Sequence, residues 1–515
     1  MNIQKCRDMF TRILIICFMF GSFSFDAAQA NAASGCLQCH QGIESIGEDH
    51  KDIDCQDCHQ GNPEASTKEM AHESFIENPG DLNDVEETCG ICHKEIVDKV
   101  KKSLHATSAG VISGTRYAWA AQKEKNARYG VREVADMDGQ VPEELGALKS
   151  LEQIPRYADS RQPADDYLRN QCLRCHLWNR GAQRPGDYRS SGCSACHVVY
   201  ADDGLSHSGD PTIPKDQPGH PIKHEMTTRI PSEQCVHCHN RGGRTGVSYL
   251  GLMESAGYGT PFRKDGSKQP KLHGKYYDHL SRDVHFEAGM HCIDCHTIND
   301  LHGDGNIYSK REQAVEIECT DCHGTLDAYS SLKTSTGSPL TNIEKRNDEL
   351  VLTGKIDGKP HPVTQVRSLA ERNVLCTGMA IKGHVEKLEC YACHARWAPQ
   401  CYGCHVKMDM GEQGYDWVDE KAGRTYQWQE SRSYLRWESP TLGINTEGKV
   451  SPFVTGCQVI FTQIDEEGKT LALNKIFETA DGHSGLAHNP LQPHTISKRA
   501  RTGAFVDSYA SSSRC

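Results

Sequence analysis

Apolar residues recur at helical spacing in only a few short segments of the chain. The clearest is 94–104, where Ile96, Val97, Val100 and Leu104 share one side of a predicted helix. Weaker patterns predict helices over 118–128 and, after a proline, over 142–151.

Strand patterns are concentrated toward the C-terminal end. Alternating positions predict strands and a turn over 347–366. Two further strands, 458–465 and 470–477, flank a polar turn at 466–469 and predict a β-hairpin. The chain is therefore predicted to be mainly α and coil, with a small β-containing C-terminal region.

The composition is too polar for an ordinary hydrophobic core. The mean hydropathy is -0.63, and the 57 basic residues are outnumbered by 69 acidic ones, which gives a net charge of -12. This balance argues against nucleic acid as a partner, because such proteins need a basic face. It is compatible with redox proteins or cationic electron acceptors as partners.

One motif, C-x-x-C-H, occurs ten times, whereas composition alone predicts roughly 0.06 matches. Its spacing is the attachment signature of c-type haem: two thiols bind one porphyrin covalently and the adjacent His ligates the iron. The half-motif C-x-x-C alone would also suit zinc. The predicted thioether cysteines are Cys36, Cys39, Cys55, Cys58, Cys89, Cys92, Cys172, Cys175, Cys193, Cys196, Cys235, Cys238, Cys292, Cys295, Cys319, Cys322, Cys390, Cys393, Cys401 and Cys404. The predicted proximal ligands are His40, His59, His93, His176, His197, His239, His296, His323, His394 and His405.

Ten haems c would supply apolar surface that the side chains lack and would give the α and coil chain a haem-packed core, so folding should depend on their attachment. The 27 histidines leave 27 − 10 = 17 for the opposite axial positions, which is enough for bis-His ligation and low potentials. Each candidate could instead be an ordinary surface or hydrogen-bonded His. The distal candidates are His50, His72, His105, His224, His285, His291, His302, His361 and His384.

Residues 1–30 have a basic start, a short apolar stretch and small-residue cleavage positions, as secretory signal peptides do. We expect export to the periplasm or cell surface and no transmembrane span in the mature chain. The expected division is 31–165 for an N-terminal trihaem region, 166–330 for a central pentahaem region, 331–408 for an insert with the last haem pair, and 409–515 for a haem-free region. His483, His488 and His494 stand close together there, either in an ordinary tail or near the end of a truncated haem protein.

The runs 288–296 and 389–405, AGMHCIDCH and ECYACHARWAPQCYGCH, resemble those of large respiratory cytochromes of metal- and sulfur-reducing bacteria. The resemblance implies electron conduction in anaerobic respiration or extracellular electron transfer. Implied partners are redox donors and acceptors, among them quinol-linked or outer-membrane electron-transfer complexes. Hydroxylamine oxidoreductases and octahaem tetrathionate reductases are the enzymes it resembles more distantly. No C-x-x-C-K occurs, so a lysine-ligated catalytic haem has no counterpart here.

An enzyme is the alternative: one five-coordinate haem would open onto a small nitrogen or sulfur compound. Arg241, Arg244 and Tyr249 cluster after the sixth motif and could orient such a substrate, or they could simply pair with propionates. Cys376 and Cys457 could form a disulfide, react near a haem, or lie buried as apolar residues. The sequence leaves the catalytic residues, and the question of catalysis itself, open.

Overall fold

The computed structural model describes residues 35–135, 148–150, 162–241, 245–255, 265–372, 383–456 and 458–498. Helices account for 25% of the residues and strands for 23%. The expectation of a mainly α and coil chain with a haem-packed core and a small β region is therefore wrong. The predicted signal peptide, the helix over 142–151, and Arg244, Cys376 and Cys457 lie outside the described residues, entirely or for the most part.

The α-helices are short, and most span only one turn or two. In chain order α1 to α9 are Cys55–His59, Lys68–Ala71, Gly90–Lys102, Leu104–Thr107, Ala109–Ala118, Pro163–Tyr167, Ser194–His197, Ser232–Val236 and Thr245–Tyr249. Helices α10 to α17 are Val284–Glu287, Cys292–Cys295, Ile298–His302, Arg311–Ala314, Cys319–His323, Val366–Arg372, His384–Lys387 and Cys390–His394. Two 3-10 turns, Gly35–Gln38 and Glu48–His50, and a π-helix, Leu168–Cys172, complete the set.

The predicted helix over 94–104 is confirmed as most of α3, with Val97 and Val100 buried. It ends at Ser103, whose hydroxyl caps α4 by accepting the N–H of Ala106. The helix predicted over 118–128 is wrong, because α5 ends where that segment begins. Trp119 is held in an aromatic cluster and Ala120 takes a left-handed conformation (φ 56°), so tertiary packing turns the chain there.

The strands form five sheets. Strands β1 to β7 are Tyr129–Gly130, Lys149–Ser150, Leu252–Glu254, Tyr277–His279, Ile343–Arg346, Glu349–Thr353 and Pro360–Val363. Strands β8 to β14 are Ala398–Asp416, Lys421–Glu438, Thr441–Ile444, Val450–Thr455, Val459–Ile464, Thr470–Ile476 and His488–Pro490. Strands β5–β6–β7 confirm the strand and turn predicted over 347–366, and β12–β13 confirm the predicted hairpin.

The largest sheet, in the order β13-β12-β8-β9, was not predicted. Strand β8 spans 19 residues and pairs antiparallel with β9 and parallel with β12. Val406 and Met408 alternate inward from β8, as an amphipathic strand requires. Because β8 also contains the tenth motif, the expected boundary at residue 409 falls inside this strand.

The buried apolar side chains of the described residues fall into seven clusters rather than one core. In the largest, the Trp119 ring stacks on Phe477 at 4.2 Å and on Tyr167 at 5.1 Å, next to Trp428. This cluster joins α5 and α6 to the large sheet and so fixes the C-terminal strands against the first half of the chain. None of the described helices combines the length and the apolar character needed to cross a bilayer.

Candidate haem sites

The ten motifs do not share one backbone conformation. Seven of them, the second, third and fifth to ninth, lie wholly or partly in a helix of the described chain. A helical turn brings residues three apart to the same side, so both thiols can face one ligand. The first motif starts in a 3-10 turn, the fourth begins at the last residue of the π-helix, and the tenth lies in β8.

A single connected cavity of about 5180 Å³ runs between the motifs, and its wall is mostly apolar. Seventeen motif cysteines line it, from Cys58 of the second motif to Cys404 of the tenth. Protein interiors are close-packed, and voids much larger than a water molecule are rare. A mostly apolar cavity bordered by the predicted thioether cysteines is a space that large apolar groups attached to those thiols would fit.

Histidines that are remote in sequence face one another in pairs across this region. Seven pairs join a motif His to a second His, with ring centroids 5.9–6.3 Å apart. The motif His of each pair comes first here: His40–His72, His93–His50, His59–His224, His239–His105, His197–His302, His323–His285 and His296–His494.

This spacing suits two imidazoles on opposite sides of one iron. A metal–nitrogen distance of about 2.0 Å on each side, plus about 1.1 Å from nitrogen to ring centre, gives centroids about 6 Å apart. Aromatic rings in ordinary packing contact have centroids anywhere from about 4.5 to 7 Å apart, whereas these seven pairs all fall between 5.9 and 6.3 Å and each includes a motif His. The pairs are therefore spaced as bis-His haem ligands would be.

The outer ring nitrogens of most paired histidines are held by hydrogen bonds. In ten of the fourteen, Nδ1 lies 2.6–3.2 Å from a backbone carbonyl or a carboxylate. Such a partner fixes the tautomer that leaves the Nε2 lone pair for a metal. The ten are His40, His59, His72, His105, His197, His224, His285, His296, His323 and His494.

No protein-family model, no curated protein and no solved structure matches this chain. The interpretation of the site therefore depends on its motifs and its geometry. Within the described ranges, no three His, Cys, Asp or Glu side chains converge as ligands of a single metal ion. The geometry thus offers opposed pairs of imidazoles rather than the tetrahedral sets that the zinc alternative requires.

Adjacent motifs meet through their thiols, and these contacts define an order in space. Thiols of motifs three and five, four and six, six and seven, and eight and nine are close enough to shift each other's pKa: Cys89–Cys193, Cys175–Cys238, Cys235–Cys292 and Cys319–Cys390. Electrostatic contacts add Cys58–Cys89, Cys196–Cys235 and Cys295–Cys322. His40 and His59 link the first two motifs in the same way. The resulting order is 1-2-3-5-6-7-8-9, with motif four attached to motif six.

Six of the nine distal candidates occupy paired positions: His50, His72, His105, His224, His285 and His302. His291 is different, because its Nδ1 accepts the backbone N–H of Ser232 at 3.2 Å, which leaves the proton on Nε2. His361 and His384 line the cavity, but among the described residues neither faces a motif His at the pair spacing.

The distal position at motif seven is taken by His494, which was not among the candidates. Its ring lies parallel to that of His296, and its Nδ1 is held by the carbonyl of Gln492 at 3.1 Å. Burial and the nearby His296 lower the pKa of His494 to about 4, so its ring is neutral at pH 7. The cluster with His483 and His488 was the available signal, but the long sequence separation from His296 concealed it.

His394 of the ninth motif has the same anchoring without a paired ring. Its Nδ1 lies 3.0 Å from the carbonyl of Ser497, and it lines the cavity. The ring is therefore oriented as the paired motif histidines are, although no second His stands opposite it within the described ranges.

The fourth motif places its thiols, but not its imidazole, on the cavity wall. Cys172 and Cys175 line the cavity, whereas His176 is not on its described wall. The His176 ring is fully buried, with the backbone N–H of Trp178 3.2 Å from Nδ1 and the Asn179 amide 3.0 Å from Nε2. Burial, followed by the charge of Arg189, lowers the pKa of His176 to about 3. Its expected role as a proximal ligand is not supported by this geometry.

The tenth motif differs from the others because its backbone is extended. Cys401 and Cys404 line the cavity, but they lie in an extended strand, where His405 is paired in register with Ser431 and Ile460. Neighbouring residues of a strand point to opposite faces, so Cys404 and His405 diverge. His405 does not reach the described cavity wall.

A polar group lies beside the fourth and tenth motifs. The Tyr167 hydroxyl donates to Glu430 at 2.5 Å, and Arg241 contacts the other oxygen of that carboxylate at 3.1 Å. Burial alone would lower the Arg241 pKa, but Glu430 outweighs it and the pKa is raised. All three side chains line the cavity. Tyr249 lines it too, but its hydroxyl is bound to the carbonyl of Met290.

Proposed function

We propose that this chain is a multihaem c-type cytochrome that conducts electrons along covalently bound haems, most of them ligated by two histidines. The seven opposed histidine pairs carry this proposal. The motif spacing supports it independently, because the motif names one partner of each pair and the fold supplies the other. Haem, when bound, provides a one-electron iron couple near the low end of the range for axial ligands, as expected for two imidazoles.

The residues of the chain would attach, orient and separate these groups. The thiols hold each group on the cavity wall, and the motif histidines face their partners with fixed tautomers. The mostly apolar wall limits water and lowers the local dielectric, which tunes the potentials. Because the thiols or histidines of successive motifs interact electrostatically, the attached groups would be close neighbours along the order 1-2-3-5-6-7-8-9.

The same proposal places the protein outside the cytoplasm, in the periplasm or at the cell surface. The export signal predicted over residues 1–30 and the site of c-type attachment in bacteria support this location. Redox proteins that deliver and accept electrons would be its partners, quinol-linked or outer-membrane complexes among them. The motif order supports two separate docking regions, since motifs one and nine are the ends of the order.

The mass of the mature protein tests haem attachment directly. We expect the intact mass to exceed that of the processed chain by eight to ten haem increments. Substitution of both cysteines of the seventh motif, C292S with C295S, should remove one increment. A mature protein with no haem increment, or with zinc in its place, would refute the proposal.

An oxidoreductase is the second candidate, supported by the surroundings of the fourth motif. A group attached at Cys172 and Cys175 would lack the ring of His176, and the Tyr167–Glu430–Arg241 group stands on the same cavity wall. These side chains could bind an anion and move a proton, as catalysis on a small nitrogen or sulfur compound needs.

Ligand addition separates the two candidates. Nitrite, hydroxylamine and sulfite should each be added to oxidised and reduced protein while optical and EPR spectra are recorded. A high-spin signal that shifts with one of these compounds, and is lost in Y167F or R241K, favours the oxidoreductase. Spectra that are unchanged by all three compounds favour the electron-conducting cytochrome.

A further inference from the structure

Three of the paired histidines have a carboxylate, rather than a carbonyl, behind the ring. Nδ1 of His40 lies 2.6 Å from Asp210, Nδ1 of His296 lies 2.9 Å from Asp300, and Nδ1 of His285 lies 2.9 Å from Asp283. These rings belong to the pairs of motifs one, seven and eight.

The three aspartates are buried and held in place by further donors. Their exposed fractions are 0% for Asp210, 9% for Asp300 and 1% for Asp283. Backbone N–H groups bind each carboxylate: that of Thr212 binds Asp210, that of Glu316 binds Asp300, and that of Ile496 binds Asp283. Such donors favour the ionised form, so each ring faces a fixed negative charge.

Other paired histidines face weaker acceptors. At motif two both rings, those of His59 and His224, face backbone carbonyls at 2.8 and 3.2 Å. At motif five His197 faces the carbonyl of Thr227, and Nδ1 of its partner His302 is buried with no hydrogen-bond partner among the described residues. These five pairs therefore differ in their acceptors: a carboxylate and a carbonyl at motifs one, seven and eight, two carbonyls at motif two, and one carbonyl at motif five.

We propose that Asp210, Asp300 and Asp283 are positioning residues that lower the reduction potentials at motifs one, seven and eight, respectively, relative to motifs two and five. The inference rests on the proposed haem-binding function and extends it. A carboxylate behind an imidazole makes the ring a stronger electron donor, which stabilises the oxidised iron. Within the described ranges Nδ1 of His302 has no acceptor, which places motif five above motif two in potential.

The spatial order of the motifs gives this series a direction. Carboxylate-backed pairs stand at one end, motif one, and toward the other end, motifs seven and eight. Motifs two and five lie between them. Electrons delivered at either side would therefore settle in the middle, next to motif six, where the branch to motif four begins.

The test compares two aspartates beside the seventh motif. Asp300→Asn removes the charge behind His296, whereas Asp294→Asn removes a charge of similar burial inside the same motif that contacts only backbone N–H groups. Each carboxylate receives backbone N–H donors on both oxygens, so the two substitutions disturb the same number of backbone hydrogen bonds, and only Asp300→Asn also alters the bond to His296.

Both variants should be titrated potentiometrically with optical and EPR detection. In Asp300→Asn one low-spin haem should become about tenfold more reduced at a fixed potential, a rise of about 59 mV for a one-electron couple. Asp294→Asn should move it by less than half as much. Asp210→Asn provides a second variant in a different region, should Asp300→Asn fail to fold.

The outcomes separate the inference from the function on which it rests. Low-spin haem signals with unchanged potentials in Asp300→Asn and Asp210→Asn would overturn the inference and leave the proposed function standing. Equal shifts in Asp300→Asn and Asp294→Asn would also overturn it, because general loss of charge would then explain them. Absence of low-spin haem from the parent protein would instead refute the proposed function.

Discussion

The paired motifs and the fourth and tenth motifs carry the same five-residue pattern but present it differently. At motif seven the thiols lie in a helical turn, and His296 faces His494 with its outer nitrogen on Asp300. At motif four His176 is buried against Asn179 and Trp178. At motif ten the strand directs His405 away from its neighbouring thiol. The motif therefore specifies which thiols can attach a haem, whereas the tertiary structure determines whether the motif imidazole is placed to ligate its iron.

The largest effect is expected when haem attachment is blocked altogether. The seven small clusters of apolar side chains cannot compensate for a cavity of about 5180 Å³ without its occupants. We expect chain produced without the haem-attachment machinery to lack cooperative thermal unfolding and near-UV circular dichroism. A compact apoprotein with a sharp melting transition would show that folding does not depend on haem attachment at any of the motifs.

Removal of one imidazole from each group distinguishes them next. His494→Ala should convert one low-spin iron to high spin, because the ring opposite His296 is lost. His405→Ala should leave the low-spin signals unchanged, because that ring does not reach the cavity wall. EPR spin quantitation measures the low-spin intensity of both variants. An equal loss in the two would contradict the distinction between the paired motifs and the tenth motif.

The packing around the fourth motif should make stability depend on pH through Asp166. Burial raises the pKa of this carboxyl from 3.8 to about 6, although it accepts bonds from Trp428 and Tyr426. Because this pKa is higher in the folded state than in the unfolded state, the free energy of unfolding is greatest below pH 3.8. It falls by about 3 kcal/mol in total as the pH rises toward 6.

Asp166→Asn should therefore remove this loss, so that the free energy of unfolding changes less between pH 4 and 6.5. Denaturant titrations at several pH values measure the slope. Asp98→Asn, on the exposed side of α3, controls for net charge. A parent and an Asp166→Asn variant with the same pH slope would show that Asp166 does not titrate in this range.

The smallest effect on the haem spectra is expected from His291. Its Nδ1 already accepts the N–H of Ser232, so His291→Ala should cost about 1 kcal/mol of stability and leave the low-spin signals intact. Chemical denaturation and EPR on the same sample check both statements. A new high-spin iron in this variant would show that His291 is an iron ligand and would contradict its assignment to the tautomer with the proton on Nε2.

Much of this geometry was predictable where the signal is local. The helix around Val97 and Val100 and the β12–β13 hairpin follow from spacing alone, and six of the distal histidines lie near motifs or helix ends. His494 is paired with a ring almost 200 positions away, which no local pattern reveals. The contacts of His176 likewise depend on residues brought together only by the fold.

The large sheet was missed although its signal was present. Val406 and Met408 alternate with polar neighbours, as do Tyr426 and Trp428, and both runs match the period of a strand. The alternation begins directly after the tenth motif, whose spacing predicts a thiol attachment site instead of a strand. The π-helix before Cys172 has no comparable signal, because it arises from packing of Leu168 and Arg169 against β8 and β9.

The most direct test of the central claim is quantitative EPR of the oxidised, purified protein. Each opposed pair should give one low-spin iron with two imidazole ligands, so at least seven such irons per chain are predicted. Irons at the fourth and tenth motifs, if attached, should account for any high-spin remainder. Fewer than four low-spin irons per chain, or a spectrum dominated by high-spin signals, would contradict the assignment of the histidine pairs.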